Sequence, residues 1–137
     1  MKNEELYHKT IGILVKAYQN DTLRKYDCAA CVVGNMIAAN EGYAIGEEGS
    51  WLKGRKVILP AWWPQIGRVD TANNNGEAKR QMDSTGYTLD ELSLIETAFE
   101  GEGDNFNGLM AVVDALDIIH ENTDKEVTKL SKNLFQI

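Results

Sequence analysis

Two prolines, two cysteines and two histidines stand among 137 residues, and two cysteines are too few for a multi-bridge disulfide framework. A C-x-x-C pair closes too small a loop to act as an ordinary staple, so Cys28 and Cys31 read as reduced thiols. No apolar run approaches the roughly 20 residues that span a bilayer, and the opening Met1-Lys2-Asn3-Glu4-Glu5-Leu6 has acid where a secretory signal carries base. The expected location is cytoplasmic, without membrane attachment. Basic residues are also short: 14 Lys and Arg against 21 Asp and Glu give a net charge of −7. That balance argues against nucleic acid as a main partner, since phosphate binding needs a basic face. There is no P-loop, no G-x-G-x-x-G, and no serine, histidine and acid set that suggests a triad.

What is present is an ordinary globular composition, 43% apolar and 26% charged, at a length typical of one domain (residues 1–137). The most distinctive stretch runs from Cys28 to Asn40 without a charged side chain. It predicts a helix capped by Asp27 and buried on more than one side. Ala30, Gly34 and Ala38 form a small-residue ridge on it, a surface through which two copies of the chain can pack as a homodimer. Gly34 costs about 1 kcal/mol relative to Ala inside a helix, so close packing is its expected compensation.

The remaining pattern is helical at both ends. Asn3 is placed to cap a first helix to about Gln19, with Leu6, Tyr7, Ile11, Ile13, Leu14, Ala17 and Tyr18 on its apolar face and His8, Lys9, Gly12, Lys16 and Gln19 turned away. Residues 42–76 lose helical periodicity. Trp51 to Leu59 reads as a small hairpin turning near Gly54, and Asn73-Asn74-Asn75-Gly76 as a turn. Glu77 to Asp83 reads as one or two helical turns. Thr88-Leu89-Asp90-Glu91 is a capping box opening a helix to about Phe99. A further helix spans about Phe106 to Glu121, with Leu109, Val112, Val113, Leu116 and Ile119 as its buried stripe, and a short one follows Thr123. The expected fold is mainly α: four to five helices around a central apolar helix, with an irregular or β-hairpin excursion at residues 42–76.

Five features bear on chemistry. Cys28 and Cys31 near a helix N-terminus have the spacing by which dithiol oxidoreductases activate a thiolate, although no strand precedes them and Asp27 opposes the charge. Two cysteines and two histidines are the count of a zinc site, with His120 on the buried stripe the better aimed imidazole; His8 points to solvent. No cofactor is expected, and zinc is the alternative. The acidic loop Glu100 to Gly108 mimics the alternation of a calcium loop, yet Asn105 stands where glycine is wanted and Ala111 where the bidentate glutamate is wanted. Glu96, at the edge of an apolar stripe, is a half-buried carboxylate suited to a raised pKa, and Asn35 is the polar core group on the cysteine face that must find a hydrogen-bond partner. Trp62 and Trp63 are adjacent, and one of them is a candidate contact for a protein partner.

Three segments carry a resemblance: Cys28-Ala29-Ala30-Cys31-Val32-Val33-Gly34-Asn35, then Gly86 to Phe99, then Phe106 to Leu116. Together they resemble an uncharacterised family of short proteins from Bacteroidetes and their phages. Some members carry the label of a subunit of the sodium-translocating NADH-quinone reductase. A plant-type iron–sulfur cluster needs four cysteines, so the two present do not support that label. The resemblance implies an organism class and a shared core. With no complete catalytic set, the leading expectation is a non-enzymatic soluble accessory or binding protein of phage or prophage type. The alternative is a dithiol redox or metal-thiolate protein using Cys28 and Cys31.

Overall fold

The computed structural model describes residues 1–46, 49–57, 66–71, 76–101 and 103–136. Among these described residues, six helices and one small sheet follow in the order α1 (Glu4–Gln19), α2 (Val32–Asn40), β1 (Ala44–Ile45), β2 (Trp51–Lys53), β3 (Lys56–Val57), α3 (Gly76–Thr85), α4 (Leu89–Glu100), α5 (Asn105–Ile119) and α6 (Lys125–Asn133). A 3₁₀ turn at Leu134–Gln136 ends the described chain. The protein is mainly α with a three-stranded antiparallel excursion, as the sequence pattern predicts. The hairpin turns at Gly54, whose φ of 66° occupies the first of two loop positions, pairing Lys53 with Lys56 and Leu52 with Val57.

Helix α2 is the centre. Every residue from Val32 to Ala38 is buried, and α1, α3, α4 and β1 all border it. Its beginning departs from the sequence reading. The helix opens at Val32 with Cys31 as its N-cap, so Asp27 caps nothing helical and Cys28 lies outside the helix. The cause lies in the carbonyls of residues 28–30. In a longer helix these would accept from N–H groups four residues on. Here the Cys28 carbonyl accepts from Gly67 N–H at 2.7 Å, Ala29 from the Trp51 indole at 2.8 Å, and Ala30 from Arg24 N–H at 2.8 Å and Asn35 Nδ2 at 2.9 Å. Tertiary partners take the acceptors that a further turn of helix requires.

Gly34 serves this arrangement rather than a helix–helix contact. A Cβ there would lie 2.6 Å from the Ala29 carbonyl oxygen. Ala30, at 0% exposure, and Ala38, at 1%, are equally enclosed. The Ala30, Gly34 and Ala38 ridge is therefore consumed by packing within one chain, which corrects its expected role as a homodimer surface.

The helical ends follow local rules with one exception. Thr88 and Glu91 form the capping box, each side chain bonded to the other's backbone N–H at 3.2 and 2.9 Å. Asp104 and Asp124 cap α5 and α6 through their carboxylates. Asn3 departs from expectation: it is left-handed at φ 52° and makes no side-chain cap bond. The chain start is anchored instead by Lys2, whose N–H donates to the His120 carbonyl at 2.6 Å. Among the described residues no helix is long and apolar enough to cross a membrane.

Candidate functional site

The two cysteines sit on the turn that leads into α2. Cys31, 1% exposed, accepts from Gly34 N–H at 3.4 Å, and its thiol faces the Gly67 carbonyl at 3.7 Å. Burial pushes this thiol up to about 12, outweighing the stabilisation that the Gly34 and Val33 backbone groups offer a thiolate. Cys28 is half-buried, and its thiol is also raised, first by burial and then by the Glu96 carboxylate, with Asp27 and Glu100 adding to it against Arg68. The environment holds both sulfurs in the protonated form, whereas an activated dithiol requires the opposite shift. Gly67 packs directly on this turn: a Cβ there would overlap the Cys28 carbonyl oxygen and lie 2.5 Å from the Cys31 sulfur.

His120 is engaged elsewhere. It follows α5, is 2% exposed, and uses both ring nitrogens. Nδ1 donates to the Lys2 carbonyl at 2.8 Å, since a carbonyl only accepts, and Nε2 meets the Tyr87 hydroxyl at 2.8 Å. Tyr7 and Tyr87 set their rings edge-on to it at 5.4 and 5.5 Å. Among the described residues no group of three or more His, Cys, Asp and Glu side chains could hold a metal ion. The imidazole thus belongs to a clasp on the chain start, apart from Cys28 and Cys31. His8 is exposed beside Glu4, with 3.6 Å between them.

Asn35 finds its partners. Its Nδ2 donates to the carbonyls of Thr22, Ala30 and Cys31 at 3.0, 2.9 and 3.0 Å, and its oxygen accepts from the Thr22 hydroxyl at 2.9 Å. One buried amide so ties the α1–α2 connection to α2, and its hydrogen-bonding capacity is largely filled. Glu96 accepts from Val69 N–H at 3.2 Å. Its carboxyl is held above the usual range by burial, with Glu100 adding to the effect and Val69 and Arg68 opposing it. At the acidic loop, Lys25 Nζ donates to the carbonyls of Gly101 at 2.8 Å and Gly103 at 3.0 Å. Trp62 and Trp63 lie outside the described residues, as does the Asn73 to Asn75 turn.

Two features were not picked out in the sequence. The first is a polar node between α1, α5 and α6. The Tyr7 hydroxyl donates to Asp117 at 2.8 Å, and Asp117 also accepts from Thr128 at 2.6 Å and Asn122 at 2.9 Å. Burial raises the Tyr7 hydroxyl to about 12. Tyr7, Asp117 and Thr128 lie on three separate helices and Asn122 in the connection between α5 and α6, with Tyr7 and Asp117 110 positions apart, which no local pattern reveals.

The second is an open groove of about 840 Å³ between α1, α2 and β1. Lys9, Gly12, Ile13 and Lys16 of α1 form one wall at helical spacing, Ala38 and Ala39 of α2 the floor, and Tyr43, Ala44 and Ile45 the far wall. Lys9, Gly12 and Lys16 of this wall belong to the face that the periodicity assigned to solvent, while Ile13 comes from the edge of the apolar face. Gly12 is exposed in the middle of a 16-residue helix, and a Cβ on it would meet nothing within 4 Å. The sequence signal was a helix-breaking residue on the side away from the core, where internal packing gives no reason for it.

No family model, no curated protein and no solved structure matches the chain.

Proposed function

We propose that the chain is a non-enzymatic binding protein, an accessory protein of the phage or prophage kind, and that its partner seats in the groove between α1, α2 and β1. The observation that carries this reading is Gly12. Glycine in a helix interior costs about 1 kcal/mol relative to alanine. Gly34 and Gly108 have a reason inside the fold, since a Cβ on either would strike a carbonyl oxygen at 2.6 or 2.7 Å. Gly12 has none, and it lies at the middle of the groove wall, where it leaves α1 backbone open to close approach.

The raised thiols of Cys28 and Cys31 and the engaged imidazole of His120 favour binding over the dithiol or metal-thiolate alternative, because nucleophilic and ligand chemistry both need deprotonated sulfur. Gly12→Phe tests the reading. The new ring has room to project into the groove without entering the core. Immobilised wild-type protein is expected to retain a partner from cell extract that Gly12→Phe, at an equal or higher melting temperature, does not. Equal retention by both proteins refutes the groove and returns attention to Trp62 and Trp63, whose alanine variants then decide.

A further inference from the structure

Resting on that reading of the groove, we propose that its occupant is an extended, acidic stretch of polypeptide, added as a strand to the free edge of β1. Two independent observations lead there.

The first is the backbone of β1. Among the described residues the sheet order is β1-β2-β3, so β1 is an edge strand with β2 on one side only. Its register with β2 pairs Ala44 with Leu52 and Ile45 with Trp51, and Gly46 N–H donates to the Ser50 carbonyl at 2.7 Å. In an antiparallel ladder, successive residues direct their N–H and C=O groups alternately to one neighbour and then to the opposite side. Gly46 and Ala44 therefore face β2, and Tyr43 and Ile45 face away from it. The Tyr43 N–H is taken by the Ala38 carbonyl at 2.7 Å. The N–H and C=O of Ile45 have no partner among the described residues, and Ile45 is part of the groove wall. A donor and an acceptor on one residue of an open edge are what an added strand satisfies, with backbone bonds that any sequence can make.

The second is charge. The chain carries −7, yet among the described residues the side chains lining this groove include Lys9 and Lys16 and no acid. Neither lysine has an ion-pair partner among the described residues. A third, Lys53, stands 5.5 Å from the centre of the Tyr43 ring on the opposite wall. In an extended strand, side chains on one face repeat about every 7 Å. Lys9 and Lys16 are two helical turns apart, about 10.5 Å along α1, so flexible ammonium tips reach carboxylates at alternate positions of such a strand. Side-chain pairs then add selectivity to the backbone bonds. A polypeptide is favoured over a nucleic acid because the open edge offers paired amide groups, and because the chain's overall negative charge opposes approach of a long polyanion.

Random decapeptides displayed as a library and panned on the full chain test this directly. Enriched peptides are expected to carry Asp or Glu at alternate positions. Their retention should fall about tenfold on Lys9→Gln/Lys16→Gln, the loss of two partly exposed ion pairs, and should fall with added salt. The best peptide should shift the Ile45 amide resonance, and N-methylation of its alternate backbone nitrogens should abolish binding. Enriched peptides that lack acids, or that bind without moving Ile45, yet are lost on Gly12→Phe, overturn the acidic strand and leave the groove standing. No enrichment, or enrichment indifferent to Gly12→Phe, overturns the groove and this inference together. Tighter binding of oligothymidylate than of any selected peptide at the same residues overturns the choice of polypeptide.

Discussion

Gly12 and Gly34 both stand inside helices, and replacing each with alanine should move stability in opposite directions. In either helix the intrinsic gain is about 1 kcal/mol. At Gly12 nothing opposes it, because the added methyl meets no atom within 4 Å. For a chain of this length that gain corresponds to a rise in melting temperature of roughly 3–4 °C. At Gly34 the methyl would lie 2.6 Å from the Ala29 carbonyl oxygen and 2.7 Å from its carbon. That carbonyl cannot retreat freely, since it accepts the Trp51 indole N–H at 2.8 Å while Trp51 is fully buried. Displacement strands a buried donor, about 1–3 kcal/mol, and overpacks the turn by a similar amount. After the propensity gain, Gly34→Ala should lose about 1–5 kcal/mol, or roughly 3–17 °C. Circular dichroism melts, with urea titrations to check that the denaturant slope is unchanged, measure both. A neutral or stabilised Gly34→Ala would refute the account in which the 28–31 turn, held by distant partners, sets where α2 begins. An unchanged Gly12→Ala would refute the open face on which the groove rests.

Other outcomes follow from the buried titratable groups. In native protein at pH 8, Cys31 should not react with Ellman's reagent and Cys28 should react more slowly than a free thiol; rapid labelling of both would revive the dithiol alternative. Glu96→Gln keeps an oxygen for the Val69 N–H while removing a charge whose burial is unfavourable, so it should raise the melting temperature at pH 7. Because the folded-state value of Glu96 is raised, that gain should shrink as pH falls through it and vanish below the unfolded value of about 4.3; a gain that grows toward acid pH would contradict the assignment. Cys31, Tyr7 and Tyr87 are each raised to about 12, so between their ordinary values and pH 12 the folded state holds more protons than the unfolded one. Stability should therefore fall with rising pH from about 9 onward, each group contributing up to about 1.4 kcal/mol per unit. A flat urea midpoint between pH 9 and 11 would refute the burial of these groups.

Much of the fold was legible because it rests on local chemistry. The capping box at Thr88 and Glu91, the stripe of α5 and the turn at Gly54 are decided by residues within a few positions of one another. The burial of residues 32–38 follows from the absence of charge, and the need of Asn35 for partners follows from that burial. The start of α2 was not legible: the groups that capture the carbonyls of Cys28 and Ala29 belong to Gly67 and Trp51, which no helical wheel includes. His120 fitted a ligand by composition, while its actual partners, Tyr87 and Lys2, lie 33 and 118 positions away in the chain.

The sequence by itself determined that this chain is helical and that an uncharged segment forms its axis. Periodicity and capping are short-range, so they survive without knowledge of the neighbours. Only the tertiary structure decided what the C-x-x-C turn does, because desolvation depends on everything packed around it: it buries Cys31 as a helix cap and holds both thiols protonated. It also turned the supposed solvent face of α1 into the wall of a groove, since whether Lys9, Gly12 and Lys16 look onto open water or onto β1 depends on where a strand from beyond α2 comes to rest.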